Sequence, residues 1–155
     1  MSVTMDATDI ALLRRCAELG HLANSVDTAF SVGAVVVDIQ GRELATGFSR
    51  ELGPTWHAEA VALRKARDAG LLDQAHTLYC SLEPCLSRQS GRRPCCDLIL
   101  HSPIRRIVFI ADEPPIFVPG KGGDHLTAAG LTVDRYPELT DLVRAANAHI
   151  WPADI

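Results

Sequence analysis

The sequence predicts an α/β protein: a three-layer α/β/α sandwich on a mixed five-stranded sheet whose last two strands run parallel. Three observations predict it. The β-branched run Val32 to Ile39 meets a second extended stretch, Arg42 to Phe48, across the turn signal Gln40-Gly41, which reads as an antiparallel hairpin. Ahead of it, Leu12, Leu13, Cys16, Leu19 and Ala23 recur at three- and four-residue steps, the period of an amphipathic helix. Further along, strand, helix and strand follow one another, and a helix between two strands favours a parallel crossover over a tight hairpin.

The elements follow in order. The first helix runs from Ile10 to Ala23 with Thr8 as its N-cap. After the hairpin, Gly53-Pro54-Thr55 breaks the chain before a helix from Trp56 to Ala69, closed by Gly70. Leu78 to Leu82 is a short buried strand. A cysteine-rich loop leads into a helix from Asp97 to His101, and Ile104 to Ala111 is the next strand. Pro114, Pro115, Pro119, Gly120, Gly122 and Gly123 make a loop. A helix from Asp124 to Ala129 ends at Gly130, the strand Leu131 to Val133 follows, and Pro137 starts a last helix through Ala148. There is no repeat or low-complexity tract, and 155 residues fit one domain, 1–155.

Composition narrows the function classes. Hydrophobic residues at 47% and charged residues at 22% are the balance of a soluble globular protein. A formal net charge of −4 and 5% aromatics argue against a nucleic-acid partner, which needs basic and aromatic strips. No apolar run approaches the roughly 20 residues that span a bilayer, so no membrane partner is expected. Met1 to Asp6 lacks the basic-then-apolar order of a signal peptide, so the expected location is cytoplasmic. The five cysteines, Cys16, Cys80, Cys85, Cys95 and Cys96, are then better suited to a metal or catalytic role than to a disulfide framework.

Two stretches carry the chemistry. One is His57-Ala58-Glu59 at the start of the second helix; the other is Leu82-Glu83-Pro84-Cys85, followed by Cys95-Cys96 at the mouth of the third. A catalytic zinc takes three protein ligands and leaves the fourth corner to water. One imidazole and two thiolates balance the dication and suit its softness, and a helix N-terminus favours the thiolate. His57 and Cys85 are therefore candidate ligands of Zn2+, with Cys95 or Cys96 as the third. Glu59 is the candidate proton carrier. It lies about 200° round a helix from His57, so it reaches the water only if His57 leans past the helix end. Taken singly, each residue reads as a surface histidine, a solvated carboxylate or a small buried hydrophobe. Together they read as a zinc-deaminase arrangement. A structural zinc site would want a fourth ligand, and its candidates, Cys16, Cys80 and His76, sit in apolar, regular segments that read as core.

These residues resemble the cytidine-deaminase superfamily. The stretches Leu82-Glu83-Pro84-Cys85 and Gly91-Arg92-Arg93-Pro94-Cys95 are most similar to the deaminase domain of bifunctional riboflavin-biosynthesis enzymes. Asp97-Leu98-Ile99, Ile104, Arg106-Ile107-Val108, Val118-Pro119-Gly120-Lys121-Gly122, Leu126, Ala129-Gly130-Leu131, Val133 and Val32-Gly33 fit the same pattern, so the resemblance covers roughly 30 to 133. It implies the cytidine-deaminase-like type of sandwich and a homodimer. Counted back from Arg106 and Asp97, the register puts the third ligand on Cys95; counted forward from Gly91, it favours Cys96. The backward count runs through regular structure and the forward one through a loop, so Cys95 is the expected ligand.

The departures concern the substrate. Ala29-Phe30 stands where the riboflavin deaminases carry Asn-Pro, and Ser49 aligns with a His of theirs. The loop before His57 is one residue longer, and the insert after Cys85 two residues longer. Arg92 matches the family's basic residue and reads either as a phosphate or carboxylate partner or as part of a solvated patch with Arg88 and Arg93. Trp56 reads either as a stacking wall or as a hydrophobic staple. Ala58, Trp56, Ser49 and Arg92 are thus the candidate substrate contacts. Ile150-Trp151-Pro152 either covers the site, of this or a neighbouring subunit, or packs on its own first helix.

The expected function is zinc-dependent hydrolytic release of ammonia from an amino-substituted, pyrimidine-like heterocycle. That small-molecule partner is a free base such as cytosine, guanine or an aminotriazine, or a small nucleoside or nucleotide. The riboflavin-pathway diaminopyrimidine nucleotide is the alternative substrate, and a non-catalytic zinc-binding module is the alternative from another class.

Overall fold

The structure, a computed structural model, describes residues 5–86, 88, 93–117 and 121–153. Helix α1 (Ala7–Gly20) precedes the hairpin β1 (Gly33–Val37) and β2 (Glu43–Phe48). Then come α2 (Ala58–Asp68), a 3-10 turn (Leu72–Gln74), β3 (Thr77–Leu82), α3 (Cys95–Leu100) and β4 (Arg106–Ala111). The chain ends in α4 (Gly122–Ala128), β5 (Thr132–Arg135), a second 3-10 turn (Pro137–Leu139) and α5 (Thr140–Ala146).

The five strands lie in the order β2-β1-β3-β4-β5. β1 is antiparallel to both β2 and β3, while β3, β4 and β5 run parallel. The expected parallel pair therefore extends to a third strand. Every residue of β1 and of β3 is buried, as both faces of a covered central strand must be. α1 and α5 pack together on one face; α2 packs on β1 and β2 on the other and meets α3, which meets α4. Leu78, Leu82, Ile107 and Phe109 are fully buried between these layers, each worth about 1.5–3 kcal/mol. No helix among the described residues is long and apolar enough to cross a membrane.

Several boundaries move, each for a local reason. α1 begins at Ala7, because Asp6 and not Thr8 caps it: the Asp6 carboxylate accepts the Asp9 N–H at 2.8 Å and the Asp9 carboxylate accepts the Asp6 N–H at 3.2 Å. α3 begins at Cys95, two residues earlier than the sequence suggests, with Pro94 at the N-cap. The last helix opens as a 3-10 turn at Pro137 and ends at Ala146.

Two glycines set where the second helix layer docks. A methyl group on Gly47 of β2 would overlap the backbone of Ala58 and Ala62, so α2 lies directly on the sheet at the turn that follows His57. A methyl group on Gly122 would overlap the Pro84 carbonyl, so the start of α4 abuts the loop that carries Cys85. Both contacts gather at the end of the sheet where β3 and β4 terminate, the usual place for a ligand site in a parallel sheet.

Candidate metal centre and substrate cavity

His57 is the N-cap of α2 and has extended backbone angles, φ −87° and ψ 155°. The helical repeat therefore does not govern its direction relative to Glu59, and the 200° separation expected from sequence does not arise. Its side chain makes no capping bond and turns instead toward two sulfurs. His57 Nδ1 stands 3.5 Å from Cys85 Sγ and 3.5 Å from Cys95 Sγ. The three ligand atoms lie within 4.8 Å of one another, the one such group of His, Cys, Asp and Glu among the described residues. Zn–S of about 2.3 Å and Zn–N of about 2.0–2.1 Å at tetrahedral angles place nitrogen and sulfur about 3.6 Å apart. The donor set fits zinc in kind, in number and in spacing.

The first turn of α3 holds Cys85. The Cys95 N–H donates to Cys85 Sγ at 3.2 Å, and the Cys96 N–H donates to the Cys85 carbonyl at 3.1 Å. A hydrogen bond from the Cys95 thiol, aided by His57, pulls the Cys85 thiol down to about 4, so it is a ready thiolate. Cys96 points elsewhere: its Sγ faces the carbonyls of Pro84 and Gly122 at 3.6 and 3.7 Å, and burial pushes it up to about 12. Cys95, the ligand expected from the register, is the one the fold brings to His57 and Cys85, and the alternative, Cys96, is not.

Glu59 sits in the first turn of α2, only 4% exposed. Burial raises its pKa to about 7, against the opposing charge of His57 and with the added push of Cys85. It lines a cavity of about 190 Å³ together with His57 and Cys85. Such a carboxyl, able to hold or release a proton near neutrality, suits general acid–base work.

The remaining candidates divide. Ala58 and Trp56 line the cavity, and Trp56 also carries the Arg64 guanidinium 6.0 Å from its ring centroid. Ser49 lines it too, but its hydroxyl is engaged by β1: it accepts the Val32 N–H at 2.8 Å and donates to the Val32 carbonyl at 3.3 Å. Arg92 lies outside the described residues. Arg88 lines the cavity and donates to the carbonyls of Thr55 and Arg93, while Arg93 pairs with Asp97. The C-terminal tail backs this chain's own cavity wall: Trp151 meets Phe30 edge-on at 5.9 Å, and Phe30 meets Phe117 at 5.3 Å.

Sequence reasoning missed three charged lining residues. Arg50 has a left-handed backbone, φ 64°, and reaches back to the carbonyls of Asn24 and Phe30 and to Ser31 Oγ. None of these is an anion, no described carboxylate pairs with Arg50, and burial lowers its pKa. Glu83 is buried, with Oε2 accepting the Gly123 N–H at 2.9 Å. Glu113, just past β4, is half-buried; burial, then the charges of Cys85, Glu59 and Glu83, push it up to about 8. The position of Glu113 beyond a parallel strand was the one available signal. Nothing in the sequence marked the backward reach of Arg50.

Known proteins are similar to this chain. The family model described as the cytidine and deoxycytidylate deaminase zinc-binding region matches residues 6–111. A diaminohydroxyphosphoribosylamino-pyrimidine deaminase of Schizosaccharomyces pombe is 38% identical over 109 residues, 69% of this chain and 27% of the relative. One of Buchnera aphidicola subsp. Schizaphis graminum is 30% identical over 119 residues, 77% of this chain and 76% of the relative. The crystal structure of Aspergillus oryzae Rib2 deaminase in complex with DARIPP superposes with a TM-score of 0.75 at 25% identity, covering 90% of this chain and 92% of that one. The chain spans between 27% and 31% of the length of the first curated relatives it matches.

Proposed function

The chain belongs to the cytidine and deoxycytidylate deaminase zinc-binding family, and from that premise we propose that it hydrolytically deaminates a diaminopyrimidine carrying a ribosylamino-phosphate arm. The coarser statement stands without proposal: the chain is a member of a zinc-binding deaminase family, and deamination of a small aminated pyrimidine is part of the proposal. The observation that carries the chemistry is the convergence of His57, Cys85 and Cys95 beside buried Glu59 at one cavity.

His57, Cys85 and Cys95 would hold the metal, and zinc bound there would supply the Lewis acidity that brings the pKa of a water toward neutrality. The Glu59 carboxylate takes a proton from the attacking water as oxygen bonds to the ring carbon that bears the amine. It returns that proton to the adjacent ring nitrogen, then takes the second from the new C–OH and delivers it to the amine nitrogen as the C–N bond breaks and C=O forms. One water and one amine thus become one carbonyl and one ammonia. Phe30, Phe117 and Trp56 wall the space for a planar ring and limit bulk water.

Sequence reading alone gave a free base at least equal standing; two observations move the weight to the nucleotide. Relatives that match this chain are named for the phosphoribosylamino-pyrimidine substrate. Arg50, a half-buried cation without a described counter-ion, lines the cavity and spends four of its five N–H donors on neutral oxygens. A phosphate arm answers that charge. A homodimer, which the resemblance implies, belongs to the same proposal, and sedimentation velocity tests it.

Ammonia release is the test, run on the diaminopyrimidine nucleotide, its dephosphorylated form, cytosine, guanine, cytidine and deoxycytidylate, with zinc measured alongside. The nucleotide should give the highest kcat/KM, with its dephosphorylated form about 10-fold or more below. A free base that outpaces it would overturn the narrower reading. Glu59→Ala should lose about 10²–10⁴-fold in turnover while keeping its zinc.

A further inference from the structure

One wall of the cavity carries a carboxylate that the proton chemistry does not use. Glu113 follows the end of β4, is half-buried, and lines the same space as Glu59 and Cys85. Among the described residues it meets neither a hydrogen-bond donor nor a cation. Of its acidic neighbours, Asp112 accepts from Arg135 Nε at 2.8 Å, and Glu83 accepts from Gly123 through Oε2 while its Oε1 is buried without a partner among the described residues. A carboxyl withdrawn from water without a donor is costly to ionise, and N–H groups brought to it by a ligand favour the ionised, acceptor-only form.

An aminated heterocycle presents N–H groups along its edge, and each needs an acceptor once it leaves water. The candidates on the wall are few. Phe30, Phe117 and Val32 offer none from their side chains; the Ser49 hydroxyl is held by Val32; and Thr28 and Thr55 add only neutral hydroxyls. The free Oε1 of Glu83 is buried, whereas Glu113 is only half-buried, and Glu59 is occupied with the transferred protons. We propose that Glu113 is a specificity-determining residue, accepting hydrogen bonds from the N–H groups on the edge of the ring away from the reacting carbon. It selects rings with an amine or amidine edge over rings that lack one. The proposal rests on the reading of this cavity as a heterocycle site.

The test separates recognition from turnover. The zinc-loaded full chain in a Glu59→Ala background, which does not consume the probe, is titrated by NMR with 2,4-diaminopyrimidine and with pyrimidine, which has no N–H. Adding Glu113→Gln or Glu113→Ala should raise Kd for the diamine about 10-fold or more and leave pyrimidine within about 2-fold. Zinc content should be equal in all three proteins. Equal affinity for the diamine across the three, an equal loss for both probes, or a parent that does not prefer the diamine would each overturn the proposal. With Glu59 intact, Glu113→Gln should raise KM for the preferred substrate and keep kcat within about 2-fold; a fall in kcat alone also overturns it. The deaminase reading stands or falls separately, on ammonia release by the unaltered enzyme.

Discussion

Two buried ionisable clusters lie at opposite ends of β4, and they are built on opposite plans. At the N-terminal end, Arg106 meets Asp9 through both terminal nitrogens at 3.0 and 3.2 Å and Asp134 through Nε at 3.1 Å, and the Tyr79 hydroxyl donates to Asp9 at 2.5 Å. Every charge there has its complement within the fold. At the C-terminal end, Cys85, Glu59, Glu113 and Arg50 gather around a cavity, with Glu113 and Arg50 lacking any described counter-ion. The first cluster ties α1 to three parallel strands. The second gathers ionisable groups without described counter-ions, and the proposed function gives them partners from solution: a metal, a ring edge and an anion. Burial is common to both; what separates architecture from function is whether the partners are already present.

The largest effects should come from breaking the open cluster at its metal. Cys95→Ser should strip the zinc to well below one per chain and take turnover to background, measured by metal analysis and ammonia release. Cys96→Ser, one residue away, should keep both and cost about 1–2 kcal/mol in stability, since it disturbs only the packing between α3 and α4. Zinc loss in the second variant with retention in the first would reverse the assignment of the ligand.

Breaking the closed cluster should give the reverse signature. Arg106→Met leaves Asp9 and Asp134 buried without a cation, a loss of about 3–5 kcal/mol, with kcat retained below the lowered melting range. The pH dependence has a definite sign. Burial pushes the Asp9 carboxyl up, but hydrogen bonds from Arg106 and Tyr79 outweigh it and hold Asp9 below its ordinary value. Its stabilisation is therefore complete above the unfolded pKa of about 3.9 and is lost as pH falls through the lower folded value. The gap in Tm between Arg106→Met and the parent should shrink as pH drops through that window.

The closed cluster and the open one were unequally legible in the sequence. Local patterns marked the five strands, and the ligand set stood in two short motifs, because His57, Glu59, Cys85 and Cys95 each sit within a few residues of a helix or strand end. Boundaries slipped where a side chain overrode periodicity, as at the Asp6–Asp9 capping box. The cavity wall was the least visible part. Arg50 reaches 26 residues back to Asn24, and Asn147 of the C-terminal segment clamps Ser31 through its N–H at 2.6 Å and its carbonyl at 3.0 Å. Such pairings depend on three-dimensional closure, and no spacing rule encodes them.

The smallest expected effect is also the one that most sharpens the contrast, because removing a charge should make the protein more stable. Glu113 has a folded pKa of about 8, raised chiefly by burial, against about 4.3 when unfolded. Between those values the folded state binds the extra proton, so stability falls as pH rises through the window and levels off above it. Glu113→Gln has no proton to lose and escapes that slope. Its Tm should match the parent's near pH 4 and exceed it by a widening margin toward pH 8, a gain of about 0.5–2 kcal/mol. Bound zinc would soften the contribution of Cys85 but not that of burial, so the gain should persist in the metal-loaded protein. No gain at pH 8 would mean that Glu113 is already compensated, and it would then belong with the closed cluster.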